Sequence, residues 1–261
     1  MRDAVFLLVI YLGGVIVAAW QAPLSEILGS AGEPGSLTVS SFNTAGVAET
    51  WNETRTSWYQ SLFARGDVVA LQEVRGSPAE FKKRVEASLP FNHSVVVSSA
   101  MGRTQYYKER YVFVVNDSAV AVQDAFILDE VNETVNRPPY VLNISHRNQS
   151  FLVANAHTDP ERANVETMAL TSALRGEDAP VVVAGDLNAD CSYGGPKGIN
   201  DAFTPFISAD ADTTTGKTDC AYDRILGDEG AAARQQTRRV GEALPWISDH
   251  HPVKASFAAV S

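Results

Sequence analysis

The chain has 261 residues, 45% apolar and 20% charged, which is core material for one large domain or two small ones. A net charge of −10 at pH 7 argues against a tight, nonspecific nucleic-acid binder, which normally carries a basic surface. An enzyme that engages a phosphodiester locally, through a metal ion and a few arginines, stays open.

At the start, Arg2 precedes the uncharged stretch AVFLLVIYLGGVIVAAW, Ala4 to Trp20. Nothing polar marks a solvent face, which argues against a core helix. Residues 1–19 suit a secretory signal peptide cleaved after Ala19, or an uncleaved signal anchor that would tie the protein to a membrane. Residues 20–36, with GSAGEPGS at 29–36, are expected to form a linker. A single domain is expected over 37–261. Its predicted strands are 36–43, 67–74, 93–99, 110–116, 150–157, 179–188, 222–227 and 251–258. The predicted helices run from Glu53 to Ala64, from Pro78 to Ser88 behind the N-cap candidate Ser77, and from Pro160 to Leu174. Strands and helices mix without strict alternation, so the expected class is α/β with mixed sheets.

Six N-x-[ST] acceptors, Asn52, Asn92, Asn116, Asn132, Asn143 and Asn148, exceed the roughly 1.7 that composition gives by chance. They agree with a secreted or lumenal protein. Acidic composition with only six lysines is also a habit of salt-loving organisms. In an oxidising compartment Cys191 and Cys220 are expected to form a disulfide worth roughly 3.6 kcal/mol in the chain-entropy model, with two unpaired thiols as the alternative. Their spacing gives no zinc motif.

The stretch VVVAGDLNADCSYGG, residues 181–195, poses the functional question. A short β-branched run suited to a strand buried on both faces ends on Asp186, Asn188 and Asp190. Taken alone, this is equally a strand running out into solvent. Yet several apolar runs end on residues that bind metals or move protons: Asn43, Glu73, His157, Asp186 and Asn188. Two polar clusters, Tyr222-Asp223-Arg224 and Ser248-Asp249-His250-His251, follow. Catalytic groups gather at strand ends, where a rigid sheet holds them and loops admit substrate.

In this order and spacing, SFN43, LQE73V, H157, GD186LN188, YD223 and SD249H250HP resemble the deoxyribonuclease I group of the endonuclease/exonuclease/phosphatase superfamily. ALQEVRGS, YYKERYVF, GDLNADCSY, ADTTTGKTDCAYDRI and ISDHHPV carry the likeness from about Leu37 to Phe257. The resemblance implies a four-layer α/β sandwich, two packed mixed sheets flanked by helices. It implies a Mg²⁺ or Mn²⁺ site at Glu73, completed or supported by Asn43 and Asp249. His250 would pair with Asp223 and His157 with Glu109, while Asp186 and Asn188 orient water and hold phosphate oxygens. Asp212, Thr214 and Thr218 match a structural Ca²⁺ site. Arg75 and Tyr107 match minor-groove contacts, with Tyr106 as the alternative tyrosine because YYKER has one residue more after GR than the family pattern; Arg137 matches a phosphate contact. The implied activity is secreted hydrolysis of double-stranded DNA with little sequence preference, leaving 5′-phosphates, by a monomer with no stable protein partner. Residues 95–99 lack the side chains with which the vertebrate enzyme binds actin, and segment 128–139 lacks its second cysteine pair. The alternatives are a phosphatase acting on phosphoinositides or another phosphoester, an inactive binding module and, further off, an abasic-site endonuclease.

Overall fold

The computed structural model describes residues 35–47, 53–89, 92–102, 107–193, 199, 201–217 and 219–259, and the backbone of two short segments near the N-terminus. Those segments, β1 (Val9–Leu12) and β2 (Val15–Ala18), pair antiparallel. They lie within the stretch expected to be a signal or anchor; the cleavage position at Ala19 and the linker before Gly35 lie outside the described residues. Among the described residues, no helix is long and apolar enough to cross a membrane.

Twelve further strands follow: β3 (Leu37–Asn43), β4 (Val68–Val74), β5 (His93–Val97), β6 (Arg110–Asn116), β7 (Ala121–Ile127), β8 (Tyr140–His146), β9 (Gln149–His157), β10 (Val181–Asp186), β11 (Thr204–Pro205), β12 (Asp223–Gly227), β13 (Gln235–Val240) and β14 (Val253–Phe257). They form two six-stranded sheets, β13-β14-β3-β4-β6-β5 and β11-β12-β10-β9-β8-β7. Each sheet contains one parallel pair, β3 with β4 and β9 with β10. A helix makes each of those crossovers, α1 (Glu53–Phe63) in the first and α3 (Ala163–Ala173) in the second. Between them, α2 (Pro78–Ser88) starts where Ser77 accepts the Glu80 N–H and Pro78 fills the first turn. The short α4 (Glu229–Ala232) has no counterpart among the predicted helices; its N-cap is Asp228.

The β10 run shows how the layers stack. Val182 and Ala184 face the other sheet, in a core with Val39, Phe113 and Ile225. Val181 and Val183 face outward onto Leu170 of α3 and onto Leu174. On the far side, Tyr59 and Phe63 of α1 and Phe81 of α2 cover Phe42 and Leu71. The result is helix, sheet, sheet, helix, with β10 buried on both faces as its composition requires. The predicted third helix begins later than expected, because Asp159 caps a 3-10 turn at Pro160–Arg162 before the α-helix starts.

Of the twelve described strands in the two large sheets, four were not among those predicted. β7 and β13 are exposed sheet edges, and such strands need little apolar patterning. β11 is only two residues long. In β8 the alternation of YVLNISH holds from Leu142 to Ser145 but is broken by Val141, which is buried against the helix layer on the opposite face.

Gly185 fixes how closely β9 and β10 approach at their functional ends. A Cβ there would lie 1.8 Å from the Ala156 carbonyl oxygen. Gly185→Ala is expected to lower unfolding free energy in urea by about 3 kcal/mol, because backbone rather than a flexible side chain must yield.

Candidate active site

The sheet ladders set three chemical groups side by side. Asp186, the last residue of β10, is in register with His157 at the end of parallel β9 and with Asp223 at the start of antiparallel β12. Cross-strand partners share a face, so these side chains emerge together. The other sheet delivers Asn43 from the end of β3, Glu73 from β4, Glu109 from just before β6, and Asp249 and His250 from just before β14.

Two imidazoles converge on one carboxylate. His157 Nε2 and His250 Nε2 lie 3.5 and 3.6 Å from Asp186 Oδ2. The other nitrogen of each ring is engaged by a buried acid: His157 Nδ1 with Glu109 Oε1 and His250 Nδ1 with Asp223 Oδ2, both at 2.8 Å. Asn43 Nδ2 donates to Asp186 Oδ2 at 3.0 Å, and the Asn188 backbone N–H donates to Asp186 Oδ1 at 3.1 Å. Asn188 adopts a left-handed φ of 48°, and its side-chain amide donates to the Thr158 carbonyl.

These contacts set the charges. Asp186 is 2% exposed, and burial pushes its carboxyl up; the imidazoles of His250 and His157, with the Asn43 and Asn188 hydrogen bonds, outweigh that and hold it below the usual range. Glu109 behaves alike: burial raises it, but His157 and Arg137 bring it below the ordinary value. For His250, burial favours the neutral ring, but Asp223 and then Asp186 override it and carry its pKa to about 10. Burial raises Asp223 to about 6, so near neutral pH this pair is an imidazolium–carboxylate.

Glu73 sits on a bulge, where the β4–β6 register shifts between Leu71 and Val74, at a left-handed φ of 54°. Its Oε2 accepts from Arg75 Nη2 at 2.6 Å and from the Tyr107 hydroxyl at 3.1 Å. The Arg75 guanidinium also lies 4.5 Å from the centre of the Tyr107 ring. Burial, then Glu73 and Glu109, push the Tyr107 phenol up to about 12, so its hydroxyl keeps its proton. Arg75 and Tyr107 thus stand together at the rim, beside the cluster.

Asp249 has a 77% exposed side chain, 3.9 Å from His250 Nε2, and lies outside the acidic cluster around Glu73. Asn43 turns its amide nitrogen, not its oxygen, toward Glu73 Oε1 and Asp186, because its Oδ1 accepts the Ala45 N–H. Arg137, expected against a phosphate, is 3% exposed; it grips Glu109 at 3.4 Å and donates to the His157 and Thr158 carbonyls, so its position is that of a support. At the expected calcium site, Asp212 Oδ1 accepts from the Thr214 N–H and hydroxyl, while Thr218 is outside the described residues.

That same segment has a role the sequence did not announce. Thr213 Oγ1 accepts the Asp223 N–H and donates to the Cys220 carbonyl, and Thr214 bridges to His250. Cys220 is disulfide-bonded to Cys191, with a Cα–Cα distance of 5.9 Å. The bridge therefore fastens the loop after Asn188 to the segment that seats Asp223 and His250.

The donor set suits a hard divalent cation. Glu73, Glu109 and His157 each offer a ligand atom, all within 4.8 Å of one another. Glu109 Oε2 is buried with no hydrogen-bond partner, an arrangement that is costly without a cation or water beside it.

The family model described as the endonuclease/exonuclease/phosphatase family matches residues 40–250. The chain belongs to this family. Deoxyribonuclease-1 of Oryctolagus cuniculus is 30% identical over 265 residues, covering 86% of this chain and 93% of that protein. Deoxyribonuclease-1 of Homo sapiens is 32% identical over 219 residues, covering 73% and 77%. Among solved structures, humanized D. rerio TDP2 superposes with a TM-score of 0.62 at 17% identity, over 86% of this chain and 100% of that one. The human Nocturnin catalytic domain with bound sulfate gives 0.62 at 15% identity, covering 86% and 93%. ANGEL2, a 2′,3′-cyclic phosphatase, gives 0.61 at 14%, covering 85% and 95%. These structures share the fold. The chain is thus a deoxyribonuclease I-like member of the endonuclease/exonuclease/phosphatase family, a phosphoester hydrolase on a four-layer sandwich.

NMR titration of the His250 ring checks the electrostatics. Asp223 is the largest contributor raising this imidazole, so Asp223→Asn is expected to move its titration well down from about 10. An unmoved midpoint would show that Asp223 does not set the charge.

Proposed function

We propose that the protein is a secreted, divalent-metal-dependent endonuclease that hydrolyses double-stranded DNA with little sequence preference and leaves 5′-phosphate ends. The observation that carries this is the pair of carboxylate-held imidazoles facing one buried carboxylate from two sides, at 3.5 and 3.6 Å. Such a cleft suits an in-line displacement, with one proton removed and another delivered across the phosphorus. Asp186 and Asn188 orient the attacking water. His157, held by Glu109, takes its proton as the new P–O bond forms. His250, kept as an imidazolium by Asp223, gives a proton to the departing 3′ oxygen as the P–O3′ bond breaks, which leaves phosphate on the 5′ side. Glu73 and Glu109 would hold a divalent cation such as Mg²⁺ or Mn²⁺, which would supply positive charge to offset the charge developing on the phosphoryl group.

Arg75 and Tyr107 favour DNA over a small phosphoester. A cation stacked on an aromatic ring at the rim suits the width and negative potential of a minor groove, which reads shape rather than sequence. The disulfide, the sequons and the apolar N-terminal stretch support secretion. Structural Ca²⁺ at Asp212 and Thr214, and action as a monomer without a stable protein partner, complete this reading.

Nicking of supercoiled plasmid in Mg²⁺ and Ca²⁺ tests it. Activity is expected to vanish in EDTA and to fall by about 10³-fold in His250→Ala, with the circular-dichroism spectrum unchanged. Folded wild-type protein that leaves plasmid intact would redirect the assignment to the phosphatase reading, assayed on phosphoinositides. Arg75→Ala is expected to weaken cleavage at all sequences alike; a defect confined to some sequences would argue against groove positioning.

A further inference from the structure

Glu73 stands on backbone that its own sheet does not hold alone. It follows the last β4–β6 rung, Leu71 opposite Val112, and the strands re-enter register only at Val74 opposite Arg110. Both carbonyls of that last rung accept hydrogen bonds from one side chain of the facing sheet: Asn155 Nδ2 on β9 reaches Leu71 O at 3.0 Å and Val112 O at 3.2 Å. Asn155 Oδ1 in turn accepts from Gln72 Nε2 at 2.7 Å, and Gln72 immediately precedes Glu73. Gln72 is further held by Ser41, whose hydroxyl accepts from Nε2 at 3.1 Å, and by Thr44, whose N–H and hydroxyl both donate to the Gln72 carbonyl.

Asn155 and Gln72 are wholly buried, in strands whose neighbours are otherwise largely apolar. A buried amide that serves only as core filling is inferior to leucine, since its polar atoms must all be matched. Here each partner belongs to the bulge or to its neighbouring strands. Asn155 also lies two residues before His157 on the same strand.

We infer that Asn155, acting through Gln72, is a positioning residue that clamps the β4 bulge from the opposite sheet and sets the Glu73 carboxylate against Glu109 and His157. It touches neither substrate nor cation. This rests on the reading of Glu73 as a metal-holding carboxylate. Removing it leaves two carbonyls and one amide without their partner, and the bulge is free to relax toward a register that turns Glu73 away.

The test compares Asn155→Leu with Val153→Ala, a cavity made at a buried core position on the same strand. Mn²⁺ affinity is measured by isothermal titration, and amide exchange over residues 68–76 by mass spectrometry. Asn155→Leu is expected to weaken Mn²⁺ binding by about 10-fold or more and to speed exchange at the bulge. Its kcat should fall with little change in KM for DNA. Val153→Ala should lose thermal stability while keeping native Mn²⁺ affinity and bulge protection. Gln72→Met should show the same pattern more weakly, and it carries the test if Asn155→Leu does not fold. Native affinity and exchange in the Asn155 and Gln72 variants, or equal losses in Val153→Ala, would overturn the inference. Wild-type protein that binds no Mn²⁺ would instead sink the metal reading of Glu73, and the exchange measurement would still decide whether Asn155 clamps the bulge.

Discussion

A carboxylate with two imidazoles turned toward one of its oxygens is an arrangement that water would dissolve and a dry interior would not permit unaided. Asp186 holds its negative charge inside the protein because His157, His250, Asn43 and the Asn188 N–H surround it. Both imidazoles are anchored in turn: His157 by Glu109, itself paired with Arg137, and His250 by Asp223. Desolvation would make any one of these charges expensive if its partner were missing. Together they form a closed set, so the loss of one member shifts the protonation of the rest.

The fold exists, in this light, to bring that set to one place. Register between β9, β10 and β12 fixes His157, Asp186 and Asp223 in a row, and Gly185 lets the strands close up beside them. Apart from Asn43 at the end of β3, the second sheet contributes through irregularities: a bulge for Glu73, and loops before β6 and β14 for Glu109 and His250. Irregular backbone needs outside support. Thr213, Thr214 and the Cys191–Cys220 bridge give it on one side, and the polar contacts around Gln72 on the other.

Much of this was legible in the residues, for a physical reason. Apolar runs ending on Asn43, Glu73, His157 and Asp186 marked strands whose last residues share one end of the sandwich, and strand period and length located eight strands. The edges β7 and β13 were not legible, because strands exposed along nearly their whole length carry no apolar alternation to detect. The partnership of Glu109 with His157 came from family resemblance, since no local pattern links residues that far apart. The burial of Arg137 was not legible in RPPY, because its three partners, Glu109 and the His157 and Thr158 carbonyls, come from distant segments. Asn155 passed unnoticed as a lone amide in an apolar strand; only its contacts across the sandwich show what it does. Sequence also does not say which way a side chain turns; that Asn43 supports Glu73 and Asp186 through its amide nitrogen is seen only in the folded site.

The site is also stitched together from the far reaches of the chain. Asn43 bonds to Asp186 across 143 positions, and Ser248 bonds to the carbonyl of Asn43 across 205. Contacts of such separation form late, because the entropy of closing large loops must be met first. On the ribosome the strand that bears Asn43 and the bulge that bears Glu73 emerge early and wait. Until residue 250 has been added and β14 has docked against β3, no imidazolium faces Asp186. An unfinished chain therefore carries Asp186 without one of the two imidazoles that keep it charged in the folded protein.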